Sequence, residues 1–422
     1  MKFRCLSAVF FAMACLSLAA LDQVSIVADR EMPVYKCGET ANFQVTGLEG
    51  GQPVKSGKYI VRLLFCGGKV MRDVPVDFAV ANPATVSCTL DEPGFVLLRL
   101  LDENSKLVLL NKRAVLAGAA FEPEKIRKVY PMPPDFREFW EAGRKKVAAN
   151  PVELRKDEKR SNAKYTVYYI SVKSLHDETL TGYLTIPAGQ GPFPAFINVP
   201  GAGVGISGPS GWAGRGAITL AMNVHKFPTA GDYAEQKRRY NEDRESGGRY
   251  WLRGAGDREK YFYYSAYLGI DRAIDYVAGL KEWDGKHMVF YGSSQGGGSA
   301  LILGGLNPHI TAIAANVPAL CDHAGSRVGR ANGWPQLCAW NQATLDDYAP
   351  YFDAANFAAL VKVPALVSCG FIDTVCAPSS VYAAYNELPG EKRMVNVPRE
   401  GHVMSKIFRK ESDEFIRKHL GL

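Results

Sequence analysis

Histidine is scarce in this chain, seven in 422 residues, and the nine cysteines fall into no spacing that resembles a zinc site. Metal chemistry is therefore not expected, and no other cofactor is implied. The apolar run at 6–18 is too short to span a bilayer, so no membrane span is expected. No internal repeat is visible, which excludes a solenoid or a propeller. Nor do the basic residues gather into a patch. In Arg238-Arg239-Tyr240-Asn241-Glu242-Asp243-Arg244 they interleave with acids, the pattern of a solvated face rather than of a nucleic-acid surface.

What is present begins with a targeting segment, residues 1–20. Lys2 and Arg4 precede the apolar run, and Ser17-Leu18-Ala19-Ala20 offers small residues for cleavage. The expected location is secreted or periplasmic. Lipidation at Cys15 is disfavoured, because Ala12-Met13-Ala14 poorly matches what precedes a lipidated cysteine. Loss of the segment lowers the formal charge from +7 to +5 and leaves seven cysteines, Cys37, Cys66, Cys88, Cys321, Cys338, Cys369 and Cys376. Export permits disulfides, but the odd number leaves at least one thiol free, and buried thiols in apolar strands are the simplest reading.

The length predicts two domains. Residues 21–118 read as short β-strands between turns, an immunoglobulin-like β-sandwich. A charged, proline-bearing linker follows at 119–132. From residue 133 to 422 strands and helices alternate, which predicts a doubly wound, mostly parallel α/β sheet with an antiparallel start. Two long excursions, 205–256 and 322–351, are expected to wall a site.

Within that second region stands Tyr291-Gly292-Ser293-Ser294-Gln295-Gly296-Gly297-Gly298. Gly292, Ser294 and Gly296 form G-x-S-x-G, between an apolar strand at 287–291 and a helix at 299–306. That context is the nucleophile elbow of an α/β hydrolase. The plainer alternative is a glycine-rich turn with Ser293 or Ser294 capping the helix. An activated serine needs a base and a carboxylate that orients the base, and in this fold they follow the serine as acid, then histidine. His402, in Glu400-Gly401-His402, lies in the loop after a strand at 393–397. Asp373 is the only carboxylate in the loop after a strand at 363–370. His287 and His309 belong to the wrong end of the sheet, His323 precedes the acid, and His419 ends the last helix. The candidate triad is Ser294, Asp373 and His402. Its oxyanion hole would come from the backbone N–H groups of Gln295 and Ala202, with Gly201 as Ala202's neighbour.

These residues carry a resemblance. The stretches Tyr261-Phe262-Tyr263-Tyr264, Gly292 to Gly298, Val363-Pro364-Ala365-Leu366-Val367, Asp373 with Ala377-Pro378-Ser379-Ser380, and Gly401-His402 resemble the acetyl xylan esterase / cephalosporin C deacetylase family of α/β hydrolases. The resemblance covers about residue 133 to the C-terminus. It implies deacetylation of acetylated oligosaccharides or small acetate esters by Ser294, Asp373 and His402. The family's hexamers make a homo-oligomer an open expectation. Three places depart from the family pattern. His225-Lys226-Phe227 stands where the family has arginine-glycine-glutamine, Pro200-Gly201-Ala202 replaces histidine-glycine-tyrosine, and Val403 replaces a glutamate. The changed loops keep two alternatives open, an esterase or peptidase for a larger acyl group such as feruloyl, and a non-catalytic carbohydrate-binding protein. Trp212, Trp334 and Trp340 are candidates for stacking on sugar rings, with simple packing as the plainer reading.

Overall fold

The computed structural model describes residues 23–205, 208–228, 233–245, 249–339 and 344–422. The expected targeting segment and Trp340 lie outside the described residues. Residues 23–121 build two main sheets. In one, Thr40–Glu49 pairs antiparallel with Gln23–Ala28 and Ala84–Thr89; in the other, Gly94–Leu101 pairs antiparallel with Lys58–Phe65 and Leu116–Phe121. Thr40–Glu49 alternates buried and part-exposed residues, the period of a strand with one face on a core. Phe43, Val45, Val61, Val86 and Leu98 belong to that core.

Gly94–Leu101 breaks the alternation, because nearly every residue in it is buried. Its second face meets the C-terminal region. The Phe95 ring meets Phe371 edge-on at 5.2 Å and Tyr382 at 5.6 Å. Burying an aromatic ring in this way contributes roughly 1.5–3 kcal/mol. On the adjacent strand, a Cβ added to Gly118 would lie 2.6 Å from the Phe371 carbonyl oxygen, so only glycine permits this approach. The Lys69 N–H donates to the Gly329 carbonyl and the Ala331 N–H to the Cys66 carbonyl, both at 3.0 Å. One apolar core runs through both regions.

The boundary between the two regions differs from expectation. Ala119, Ala120 and Phe121, expected in a linker, complete the strand Leu116–Phe121 because all three are buried and paired with Phe95 and its neighbours. The following residues are stitched down. The Asn386 side chain donates to the Pro123 and Ile126 carbonyls at 2.9 and 2.8 Å, and the Val129 N–H donates to the Asp322 carboxylate at 2.8 Å.

The C-terminal region holds a nine-stranded sheet. Its strands are β1 (Val152–Lys156), β2 (Tyr165–Lys173), β3 (Thr179–Pro187), β4 (Phe193–Val199), β5 (Ile218–Met222), β6 (Trp283–Ser293), β7 (Ala312–Asn316), β8 (Ala365–Gly370) and β9 (Lys392–Val397). Their order is β1-β2-β3-β5-β4-β6-β7-β8-β9. The pairs β1–β2, β2–β3 and β3–β5 are antiparallel, and every later pair is parallel. Strand β1, Val-Glu-Leu-Arg-Lys, carries charge and little burial, as edge strands do. The central strands alternate between two apolar layers. Phe196, Val289, Ala314 and Leu366 share a layer with Phe408 and Ile416 of the final helix, Lys406–Leu420. Ile197, Phe290, Ala315 and Val367 share the opposite one with Leu268 of helix Phe262–Ala278 and Leu301 of helix Gln295–Leu306. Among the described residues no helix is long and apolar enough to cross a membrane.

All seven described cysteines are unpaired, and burial raises the Cys66 and Cys88 thiols to about 11. His323 is also wholly buried, with Nε2 3.4 Å from the Phe352 carbonyl oxygen. Burial pushes its pKa down from 6.5 to about 4. Between those values the unfolded chain binds the extra proton and the folded chain does not. Stability is therefore complete above the window and falls as pH drops through it, by up to about 3 kcal/mol. Urea midpoints measured from neutral pH down to about 4 should fall in the native protein and fall less in His323→Gln. An equal pH slope in both would contradict this role.

Candidate active site

Strand β6 ends at Ser293 and the next helix starts at Gln295, so Ser294 carries the whole turn. Its backbone has a positive φ, with φ 57° and ψ −119°, a conformation that costs a non-glycine residue about 1–3 kcal/mol. Contacts around it hold this shape. The Ser294 N–H donates to the Asn316 carbonyl, and the Ser294 carbonyl accepts from Gly298 and Ala319, each at 2.9 Å. A Cβ at Gly292 would lie 2.0 Å from the Gly296 carbonyl oxygen, and one at Gly296 would lie 2.1 Å from that of Val199. Strand, helix and the end of β4 therefore meet at distances that only glycine allows.

The three sequence-predicted residues of the candidate triad come together. His402 Nε2 lies 2.9 Å from Ser294 Oγ, and His402 Nδ1 lies 2.8 Å from Asp373 Oδ2. The Asp373 carboxylate is fully buried, whereas the His402 ring is partly open to solvent. The other carboxylate oxygen of Asp373 accepts from the Val375 and Cys376 N–H groups at 2.8 and 2.9 Å. Those bonds fix the carboxylate and leave one oxygen for the imidazole. Strands β8 and β9 pair from Ala365–Lys392 to Gly370–Val397, which puts the acid and histidine loops side by side. Such a chain of contacts can pass a proton from a serine hydroxyl to an imidazole whose charge is balanced by a carboxylate.

The oxyanion candidates belong to the elbow helix and to the loop after β4. Gln295 opens the elbow helix, whose N-terminus favours negative charge. Strand β4 is in register with β6, Val199 opposite Gly292, so the loop that follows runs past the serine. A Cβ at Gly201, next to Ala202, would be 3.7 Å from Ser294 Cβ. The buried Gln295 side chain ties the two sides together. Its Nε2 donates to the Pro200 carbonyl at 3.4 Å, and its Oε1 accepts from the Tyr250 and Tyr263 hydroxyls at 2.7 and 2.8 Å. Burial raises both tyrosine pKa values well above the ordinary one, so both keep the proton they donate.

The departures at residues 225–227 are accommodated in the same place. The buried His225 ring contacts the Gly203 carbonyl at 2.6 Å and stacks on Phe227 at 4.8 Å. Lys226 pairs with Glu178 and lies 4.8 Å over the Phe262 ring. The imidazole thus supplies a polar tie to the 200–203 loop.

Sequence reasoning missed the polar network beneath the candidate triad. The Asn316 amide donates to Ser293 Oγ at 2.8 Å and to the Val403 carbonyl at 3.3 Å. Asn316 Oδ1 accepts from the Ser368 hydroxyl at 2.7 Å, and Ser368 Oγ accepts from the Val317 N–H at 3.0 Å. This links the ends of β6, β7 and β8 to the histidine loop. The available signal was a lone polar residue in each of two apolar strands, Ala-Ile-Ala-Ala-Asn and Ala-Leu-Val-Ser-Cys-Gly. Other histidines are engaged elsewhere; His287, for example, bonds Asp284 at 2.7 Å. Trp212 stacks on Phe196 at 5.4 Å, whereas Trp334 packs on Trp251 at 5.3 Å and its backbone N–H donates to the Val375 carbonyl in the acid loop. Among the described residues no three His, Cys, Asp or Glu side chains gather to hold a metal ion.

Comparison with known proteins gives one family. The profile of acetyl xylan esterase (AXE1) matches residues 122–332 and 341–419, more than half of the chain. An acetyl esterase, Axe7A, of Xylanibacter ruminicola is 32% identical over 324 residues, covering 74% of this chain and 72% of the relative. Two solved structures share the fold. The acetyl xylan esterase 1 of Thermoanaerobacterium sp. superposes with a TM-score of 0.61 at 20% identity, over 70% of this chain and 97% of its own. The acetyl xylan esterase of Paenibacillus sp. R4 gives 0.57 at 23% identity, over 71% and 99%. A nucleophile-elbow geometry on an α/β-hydrolase sheet and this breadth of similarity have one reading: the chain belongs to the acetyl xylan esterase family and is a carboxylic ester hydrolase.

Proposed function

We propose that the chain is a serine acetylesterase that removes acetyl groups from acetylated xylan or a related oligosaccharide. The observation that carries this reading is the continuous contact from Ser294 Oγ through His402 to the buried Asp373 carboxylate, in a chain of this family. Ser294 Oγ attacks the ester carbonyl carbon while His402 Nε2 takes its proton. The carbonyl electron pair moves onto oxygen, where the Gln295 and Ala202 N–H groups stabilise the charge. As the tetrahedral species collapses, the bond to the sugar oxygen breaks and His402 protonates that oxygen. Water, deprotonated by His402, then attacks the acetyl-serine and releases acetate. Asp373 keeps the Nδ1 proton of His402 in place and balances the imidazolium. Removal of residues 1–20 on export would bring the enzyme to a polysaccharide outside the cytoplasm.

Ser294→Ala should lower kcat on para-nitrophenyl acetate by about 10⁴-fold or more, and Asp373→Asn by about 10³–10⁴-fold, with unfolding midpoints close to native. A loss below about tenfold in either would remove that residue from the mechanism. On the acyl side, acetyl esters should be cleaved at least about tenfold faster than feruloyl esters of the same alcohol, judged by kcat/KM. The reverse order would replace the deacetylase reading with the larger-acyl alternative.

A further inference from the structure

A cleft of about 1220 Å³ opens beside His402, between the histidine loop and the N-terminal β-rich region. One wall comes from the loops after β8 and β9 and includes Thr374, Arg399, Glu400 and Val403. The other comes from the β-rich region, with Val27, Arg30, Asn111 and Arg113, and its floor follows the strand that carries Gly118. The volume exceeds the roughly 300–1,000 Å³ of ordinary small-molecule sites.

Its position gives it a chemical meaning. In ester hydrolysis the leaving oxygen must sit next to His402 Nε2, which protonates it. The alcohol portion of the ester therefore extends from that nitrogen, and His402 is itself part of the cleft lining. Its charges are nearly balanced. Arg30, Arg113 and Arg399 share the lining with Glu31 and Glu400. Arg30 is already paired with Glu39, whereas Arg113 and Arg399 have no ion pair among the described residues. Donors and acceptors in near balance suit a neutral, hydroxyl-rich chain, whereas a polyanion would call for one sign of charge. Val27 and Val403, 37% and 50% exposed, add apolar surface on opposite walls for the C–H faces of sugar rings.

The far wall is held in place. Gly118 and Phe95 press on Phe371, two residues before Asp373, and the backbone bonds at Lys69 and Ala331 join the same two regions. A wall fixed relative to the triad loses little entropy when a ligand binds.

We propose that the β-rich region forms one side of a binding cleft for the alcohol portion of the ester, a neutral sugar chain several residues long. This rests on the esterase reading above and adds a subsite wall from residues before the stretch matched by the family profile, which begins at residue 122.

The test compares native protein with an Asn111→Ala/Arg113→Ala double variant, altered only on the β-rich wall. Native kcat/KM on acetylated xylo-oligosaccharides should rise about tenfold or more from disaccharide to hexasaccharide. The double variant should lose that gain through KM, with hydrolysis of para-nitrophenyl acetate within about twofold of native. Equal native rates for both lengths, or a gain retained in the variant, would overturn the proposal. A second measurement separates it from the chemistry. By calorimetry, Ser294→Ala protein should bind unacetylated xylohexaose, and adding the two substitutions should weaken binding about tenfold. No binding, or unchanged binding, would overturn the cleft even if the esterase stands. Conversely, such binding together with native protein that cleaves no ester would sustain the cleft and sink the esterase. Binding of a uronic-acid chain more than about tenfold tighter than the neutral one would overturn the neutral ligand class.

Discussion

The positive-φ backbone of Ser294 is the constraint on which the site depends. A serine does not choose φ 57° unaided. It is held there because β6, the elbow helix and the end of β4 approach within distances that exclude a Cβ at Gly292 and Gly296. The turn lifts the hydroxyl out of the sheet and aims it at His402. It also sets the helix N-terminus beside the place where negative charge would develop. The strain, about 1–3 kcal/mol, is small against the packing of the buried layers around it.

The residues that depart from the family pattern are replaced by other contacts in this chain. The loop after β4 is tied from one side by Gln295 on the Pro200 carbonyl, and from the other by His225 on the Gly203 carbonyl. Tyr250 and Tyr263 hold Gln295 in turn. What a candidate oxyanion loop needs is a fixed backbone, and several side chains can fix a carbonyl. The β-rich region enters the same scheme by a different route. It buries Phe95 against Phe371 and so bears on the loop that carries Asp373. It is part of the site's mechanical frame, joined to the hydrolase through a shared core.

The candidate triad was legible in the sequence because each member lies within a few residues of the end of a strand, where a short loop begins. Glycines around Ser294 and before His402 marked those ends. The parallel sheet was legible for the same reason. What escaped was set by tertiary contact. Strand β1 has too much charge to look like a strand and survives as an edge. Ala119 to Phe121 seemed to belong to a linker, but their burial against Phe95 and its neighbours makes them the end of a strand. The Asn316–Ser368 network spans residues 52 apart in sequence, and nothing local announces that two polar side chains in different strands will meet. Tyr250 reaches Gln295 across 45 residues in the same way.

The central claim is that Ser294 is a nucleophile because His402 activates it in this geometry. Intact-mass and peptide mapping after treatment with phenylmethanesulfonyl fluoride measures it directly. The account predicts a single sulfonyl adduct on the Ser294 peptide of native protein and none on that peptide in folded His402→Ala. An adduct on another residue with parallel loss of activity, or equal labelling of Ser294 without His402, would contradict it.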